Sequence, residues 1–233
     1  MTEDWYFISH RLSLAIFLKQ KGYEVHVCCK NTGKFKHILA KGIQCYDINA
    51  KRKSLSTSHL MVEVITFFKC VNKVKPDVIH LISMRPALVG LLTPTLLKRV
   101  KIFITFTGLG FIFIRKSLSA KILRWLIKGF FIIFSRIKNF TTIVQNEDDY
   151  NFILQKFFFS KERSLIIRGS GIDIKYFKKK IEPKENKITI GYVGRILEDK
   201  GVHWLIEGFK LARKENEKLS LILAGTLDKQ NPT

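Results

Sequence analysis

The chain has 233 residues, with 41 Lys and Arg against 19 Asp and Glu, a formal net charge of +22 and 46% hydrophobic residues. With a mean hydropathy of +0.05, this excludes a disordered or collagen-like chain and a polytopic membrane protein. The charge excess points to a polyanionic partner (nucleic acid, anionic lipid or phosphorylated substrates), or else to compositional drift toward Lys, Ile, Phe and Asn.

Met1 to Ser9 is acidic and aromatic and lacks the basic and apolar regions of a secretory leader. Doubly wound domains usually begin with a strand whose following turn carries the first binding loop. Here Trp5–Arg11 leads almost at once into a helical pattern over Leu12–Lys21, so the first strand is expected to be missing or vestigial. Strands are then predicted over Tyr23–Cys29, Gly42–Ile48, Asp77–Ile82, Val100–Phe106, Thr141–Val144 and Ser164–Ile167, with helices over Ser58–Val74, Pro86–Lys98 and Leu118–Ile137 among them. Such alternation predicts right-handed βαβ units in a parallel sheet. Cys28 and Cys29 are adjacent, while Cys45 and Cys70 stand alone. There is no C-x-x-C pair, so all four read as buried free thiols in a reducing compartment, and no zinc site is expected.

A Lys-rich stretch, Lys175–Lys187, breaks this pattern and reads as a hinge. A second α/β unit begins after it: a strand over Ile188–Val193, a helix over Gly201–Arg213 and a strand over Leu219–Ala224. The expected organisation is a domain over 1–175, a linker over 176–187 and an incomplete second domain over 188–233. A lone parallel β-α-β unit exposes both sheet faces, so the chain is expected to be cut short at both ends.

Four stretches carry candidate chemistry. Gly194, Arg195, Lys200 and Gly201 lie between the strand at 188 and the helix at 201, where open α/β sheets bind ligands. Arg195 offers a planar fork of donors and Lys200 a mobile point charge beside a helix N-terminus, which together suit a diphosphate. A solvated loop is the plain alternative. Thr107, Gly108 and Gly110 follow another strand, and Gly169 and Gly171 precede the hinge. Their glycines suit either close backbone approach to a ligand or simple turns. Ser9, His10 and Arg11 stand next to a helix, with His10 able to act as an acid, a base or a hydrogen-bond donor.

The segment Leu118–Ile137 is interrupted by Lys121, Arg124, Lys128 and Arg136, which argues against a span. The first three share one helical face, and Ile122, Trp125, Leu126, Ile132 and Ile133 supply an apolar surface. That is the pattern of a helix lying on an anionic membrane surface, or of a core helix with a solvated basic side.

Taken in order, EDWYFISHRL at 3–12, KGYEVHV at 21–27, KPDVIHL at 75–81, TGLGFIF at 107–113, VQNEDDYNF at 144–152, GSGIDIKYF at 169–177, VGRILEDKGV at 193–202 and AGTLDKQNP at 224–232 resemble the retaining GT-B glycosyltransferases of family 4. The likeness is to the branch that builds capsular, O-antigen and N-linked glycans on a polyprenyl diphosphate. The resemblance implies two Rossmann-like domains, an acceptor side and a nucleotide-sugar side, and a donor that is usually a UDP-sugar. It implies that Arg195 and Lys200, with Gly194, hold the donor diphosphate. Ser9, His10, Arg11, Thr107, Gly108, Gly110, Gly169 and Gly171 would then fall on the acceptor or cleft side. No metal or other cofactor is required by such enzymes. The expected location is peripheral, on the cytoplasmic face of the membrane, with a polyprenyl-diphosphate-linked sugar as acceptor.

The family's E-x7-E region, which contacts the donor sugar and ribose, has no counterpart before Thr233. The chain is therefore expected to be a glycosyltransferase fragment, inactive by itself, and no catalytic residue is assigned. Two other readings remain open: a basic membrane-associated partner without catalysis, and a nucleic-acid-binding protein. Against the latter, no RNP, helix-turn-helix or zinc signature is present and the aromatics do not interleave with the basic residues.

Overall fold

In the computed structural model the described residues are 1–48, 57–93, 100–109, 118–137, 140–169, 171–172, 174, 177 and 188–226. The chain divides into two compact units, Met1–Ile172 and Asp173–Thr233. Apart from Phe177, the segment 176–187 expected as a linker lies outside the described residues.

Unit 1 opens with α1 (Asp4–His10) and α2 (Leu12–Gln20), followed by β1 (His26–Cys29), α3 (Phe35–Leu39) and β2 (Gln44–Asp47). Next come α4 (Thr57–Val74), β3 (Val78–Ile82), α5 (Met84–Leu92), β4 (Lys101–Thr105), α6 (Leu118–Ile137), β5 (Phe140–Val144), α7 (Glu147–Phe157) and β6 (Ser164–Ile166). β1 pairs with β2, and β3-β4-β5-β6 form a separate four-stranded sheet, all in parallel. The expected first strand is reduced to a bridge: Glu3 pairs in parallel with Lys30, just past the end of β1.

β1, β3, β4 and β5 bury what their alternation dictates. Val27 and Cys29 of β1 pack with Phe7, Leu12, Ala15 and Ile38. Residues of β3, β4 and β5 pack with α4, α5, α6 and α7 in the larger cluster. Its centre is aromatic: Phe131 stacks on Phe157 with ring centroids 4.9 Å apart, and Phe106 meets Phe131 edge-on at 5.6 Å. α5 sits close on β3 because Gly90 presents no side chain; a Cβ there would lie 2.4 Å from Leu81 Cδ1. α7 starts where Asn146 Oδ1 accepts from Asp149 N at 2.7 Å, and ends at Phe158 in the left-handed region.

Unit 2 is β7 (Ile188–Val193), a 3-10 turn (Glu198–Lys200), α8 (Val202–Glu215) and β8 (Leu219–Ala224), with β7 and β8 parallel. Its apolar surface is thinly covered among the described residues: Val193 is 86% and Trp204 72% exposed. One β-α-β crossover cannot cover both faces of its own sheet.

Candidate functional site

In unit 2 the candidate loop is built by two strands ending together. Past β7 and β8 their ladder continues, with Gly194 N donating to Ala224 O at 3.0 Å and Ile196 N to Thr226 O at 3.2 Å. Arg195 sits in this extension, exposed, with its carbonyl accepting from Tyr192 Oη at 2.8 Å. The same phenol fills the space beside Gly194, where a Cβ would lie 3.0 Å from Tyr192 Oη. Leu197 is buried and anchors the loop, after which Lys200 closes the 3-10 turn with its side chain exposed. Gly201, at φ +68°, turns the backbone into α8, whose N-terminus has no side-chain cap. Its first N–H groups are thus open to an anion. Arg195, Lys200 and this helix start therefore share one loop at the carboxyl edge of the strands. Tyr192 and Gly225 were not singled out from the sequence; both matter through contacts that no linear spacing reveals.

In unit 1 the parallel strands β3 to β6 place their following loops along one edge. Thr107 is half-buried there and Gly108, at φ +132°, is exposed. Gly169 and Gly171, each at φ +71°, are exposed past β6. Gly110 lies outside the described residues. The three residues 9–11 are not brought together. Ser9 and His10 are exposed and joined to each other, Ser9 Oγ lying 2.6 Å from His10 Nδ1, and the His10 ring stacks on Tyr6 at 4.3 Å. Arg11 instead lines a cavity between β1 and β3.

Two buried charges were missed in the sequence. Asp4 accepts from Trp5 N at 2.7 Å, Thr32 N at 2.8 Å and Lys34 N at 2.9 Å, and from the Thr32 hydroxyl, fastening α1 to the turn after β1. Burial alone would push its carboxyl up, but the bonds from Thr32, Lys34 and Trp5 outweigh that and hold it below the ordinary value. Glu63 of α4, 1% exposed, takes a bidentate bond from Arg85 Nε at 2.9 Å and Nη2 at 2.7 Å. A carboxylate among the apolar residues of α4 was the available signal.

α6 presents a mixed face. Leu123, Ile127, Phe130, Phe131 and Phe134 pack inward, whereas Ile122, Trp125, Leu126 and Ile133 are exposed, Trp125 at 75%. At 100° per residue, Lys121, Arg124 and Lys128 border this apolar stripe on one side. The exposed side is therefore not a solvated basic face alone. No described helix is long and apolar enough to cross a membrane.

Residues 1–137 match the family Glycosyl transferase 4-like. The chain belongs to that family. Residues 173–232 match the model Glycosyl transferases group 1. Among its relatives, the capsular polysaccharide biosynthesis glycosyltransferase CapM of Staphylococcus aureus is 24% identical over 92% of this chain and 57% of its own length. The fold is that of a glycosyltransferase from Rickettsia africae ESF-5, with a TM-score of 0.64 at 14% identity, covering 91% of this chain and 63% of that one. A UDP-N-acetylglucosamine 2-epimerase is similar at a TM-score of 0.55 and 11% identity, over 90% of this chain and 58% of the other. The chain thus spans less than two thirds of each of these proteins. The α/β, parallel-sheet, GT-B-like architecture expected from the sequence is present.

Proposed function

We propose that this chain forms the acceptor side and the beginning of the donor side of a retaining GT-B glycosyltransferase of family 4. The whole enzyme moves a sugar from a UDP-sugar to a polyprenyl-diphosphate-linked glycan during surface polysaccharide assembly. The observation that carries this reading is the loop of unit 2, which joins Arg195, Lys200 and the uncapped start of α8 at the carboxyl edge of β7 and β8. As the sugar leaves, negative charge builds on the nucleotide diphosphate. Arg195 binds it as a fork, Lys200 as a point charge, and the α8 N–H groups as fixed dipoles. These supply the positive charge that a metal ion supplies in other sugar transferases, so donor binding needs no metal. The exposed Ser9–His10 pair and the glycine turns at 107–108 and 169–171 serve the acceptor side.

The test is calorimetric titration of UDP into the 233-residue chain, with and without EDTA. Saturable binding that survives EDTA and weakens at least about tenfold, a 1.4 kcal/mol effect, in Arg195→Ala and Lys200→Ala supports the reading. Binding unchanged in both variants, or lost with EDTA, sinks it.

The mixed face of α6 supports a membrane-peripheral location at the inner leaflet, where a lipid-linked acceptor resides. Ile122, Trp125, Leu126 and Ile133 insert at the interface while Lys121, Arg124 and Lys128 meet anionic headgroups.

A further inference from the structure

The fold brings two of the four cysteines together. Cys28 of β1 and Cys70 of α4 are 42 residues apart in sequence, yet their sulfurs stand 2.9 Å apart. Both are free thiols. The alternation of β1 explains the meeting. Val27 and Cys29 point to the face held by Phe7, Ala15 and Ile38, whereas Cys28 packs with the cluster on the face that α4 covers. Cys45 packs on the opposite face with Cys29.

The neighbours set the reactivity of the pair. In the β1–β2 register Cys28 stands beside Tyr46, and the Lys73 ammonium lies over the Tyr46 ring, 5.6 Å from its centroid. Lys73 is three residues past Cys70 on α4, so the two side chains share one face of the helix. Lys73 is exposed, and Tyr46 and Cys28 are half-buried, so this side of the pair opens to solvent. The hydrogen bond from the Cys28 thiol, aided by Lys73, outweighs burial and holds Cys70 below the ordinary thiol value. The same contact, then burial, pushes Cys28 up. Burial raises Cys29 to about 12 and Cys45 to about 11, which keeps both protonated. Cys70 is thus the first of the four to ionise, and the thiolate is the reactive form.

We propose that Cys28 and Cys70 are a redox pair, which a hydroperoxide converts to a disulfide that fastens the last turns of α4 to β1. The Cys70 thiolate attacks one peroxide oxygen. The O–O bond breaks, hydroxide leaves and Cys70 becomes a sulfenic acid. The Cys28 sulfur then attacks Cys70 Sγ; the S–S bond forms, the S–O bond breaks and a second hydroxide leaves. The two thiol protons turn both hydroxides into water. Two thiols are oxidised by two electrons in all, and one hydrogen peroxide is reduced to two waters. The sulfurs must close by only about 0.9 Å to reach a bond of about 2.05 Å. A dithiol reductant reverses the step by exchange and is itself oxidised. α4 also carries Glu63, which holds Arg85, so the clamp constrains the helix that anchors the start of α5.

The test treats the 233-residue chain with hydrogen peroxide, alkylates the remaining thiols with iodoacetamide and maps the peptides by tandem mass spectrometry. The expected product is a Cys28–Cys70 cross-link with Cys29 and Cys45 alkylated, lost again on adding dithiothreitol. Oxidation should raise Tm by about 5–10 °C, since the bridge closes a loop of 42 residues. Hydrogen exchange should slow over residues 67–74. In Cys28→Ser, Cys70 should stop at the sulfenic acid and be labelled by dimedone; in Cys70→Ser, Cys28 should stay unlabelled. Circular dichroism checks that both variants fold, and the peptide map of the unmodified chain does not depend on them. Cys28 and Cys70 both alkylated after peroxide, a bridge through Cys29 or Cys45 instead, a bridge that lowers Tm, or equal dimedone labelling in the two variants overturns the proposal.

Discussion

Gly225 and Gly194 touch through their backbones: a Cβ on Gly225 would lie 1.8 Å from Gly194 O and 2.9 Å from Gly194 C. The contact holds the β8 loop against the loop that carries Arg195, and backbone cannot swing aside as a side-chain tip can. Gly225→Ala is therefore expected to push the 194–196 segment outward. The cost in stability should be about 1–3 kcal/mol, as for overpacking elsewhere. UDP binding should weaken although neither cation is changed. Thermal melts and a UDP titration on this variant check both effects. A variant with unchanged melting and affinity contradicts the contact.

Arg195→Lys is expected to behave almost like Arg195→Ala in UDP binding. An ammonium keeps the charge but cannot reproduce the two parallel donors of a guanidinium. Lys200→Arg should be milder, because a point charge at the start of α8 can be replaced by another cation. The comparison is made by titrating UDP, then UMP, into each variant. If Arg195 contacts the diphosphate, the loss should shrink with UMP; an equal loss for both nucleotides places Arg195 elsewhere.

Much of the architecture was legible because periodicity carries it. β7 and β8 have the bounds that alternation predicts, and α6 runs over Leu118–Ile137 as its apolar spacing indicates. The predicted helix at Pro86 begins earlier, at Met84, and its described part ends at Leu92. The strand predicted from Tyr23 starts only at His26, where pairing with Gln44 begins. α7 was missed although Tyr150, Ile153, Leu154 and Phe157 recur at helical spacing, because its polar first turn follows β5 directly; its further signals were the Asn146 cap and the acidic first turn of Glu147, Asp148 and Asp149. The cationic loop of unit 2 could be read from residue type and spacing. The contact of Gly225 with Gly194 and the burial of Arg11 beside β1 and β3 could not, because each depends on a neighbour far away in sequence.

The exposed face of α6 makes a membrane prediction with two separable parts. Each basic residue near an anionic surface contributes about 1 kcal/mol, so reversing Lys121, Arg124 and Lys128 to Glu should abolish binding to vesicles rich in anionic lipid. Trp125→Ala should weaken binding to anionic and neutral vesicles alike, because it removes an interfacial anchor and no charge. Flotation at low and high salt distinguishes the two. Charge-reversed protein that still floats with anionic vesicles would count against the docking surface.

His80 sets how stability responds to mild acid. Its Nε2 lies 2.7 Å from Thr105 Oγ1, and burial, followed by repulsion from Arg11 and the Met1 ammonium, lowers it to about 4. The unfolded chain protonates this residue near pH 6.5, so between pH 6.5 and 4 the unfolded state binds the extra proton. The stability from keeping His80 neutral is therefore fully present above about pH 6.5 and is lost as the pH falls toward 4. A shift of this size corresponds to about 3 kcal/mol across the window. Asp4 acts with the same sign in more acid solution: its depressed carboxyl gives stability that is present above its unfolded value and lost as the pH falls through the folded one. His80→Gln can still bond Thr105 but does not titrate. Its unfolding free energy in urea should fall less between pH 7 and 4.5 than that of the unmodified chain, the two profiles separating by about 2–3 kcal/mol. Parallel pH profiles for the two proteins would remove His80 as the source of the acid sensitivity.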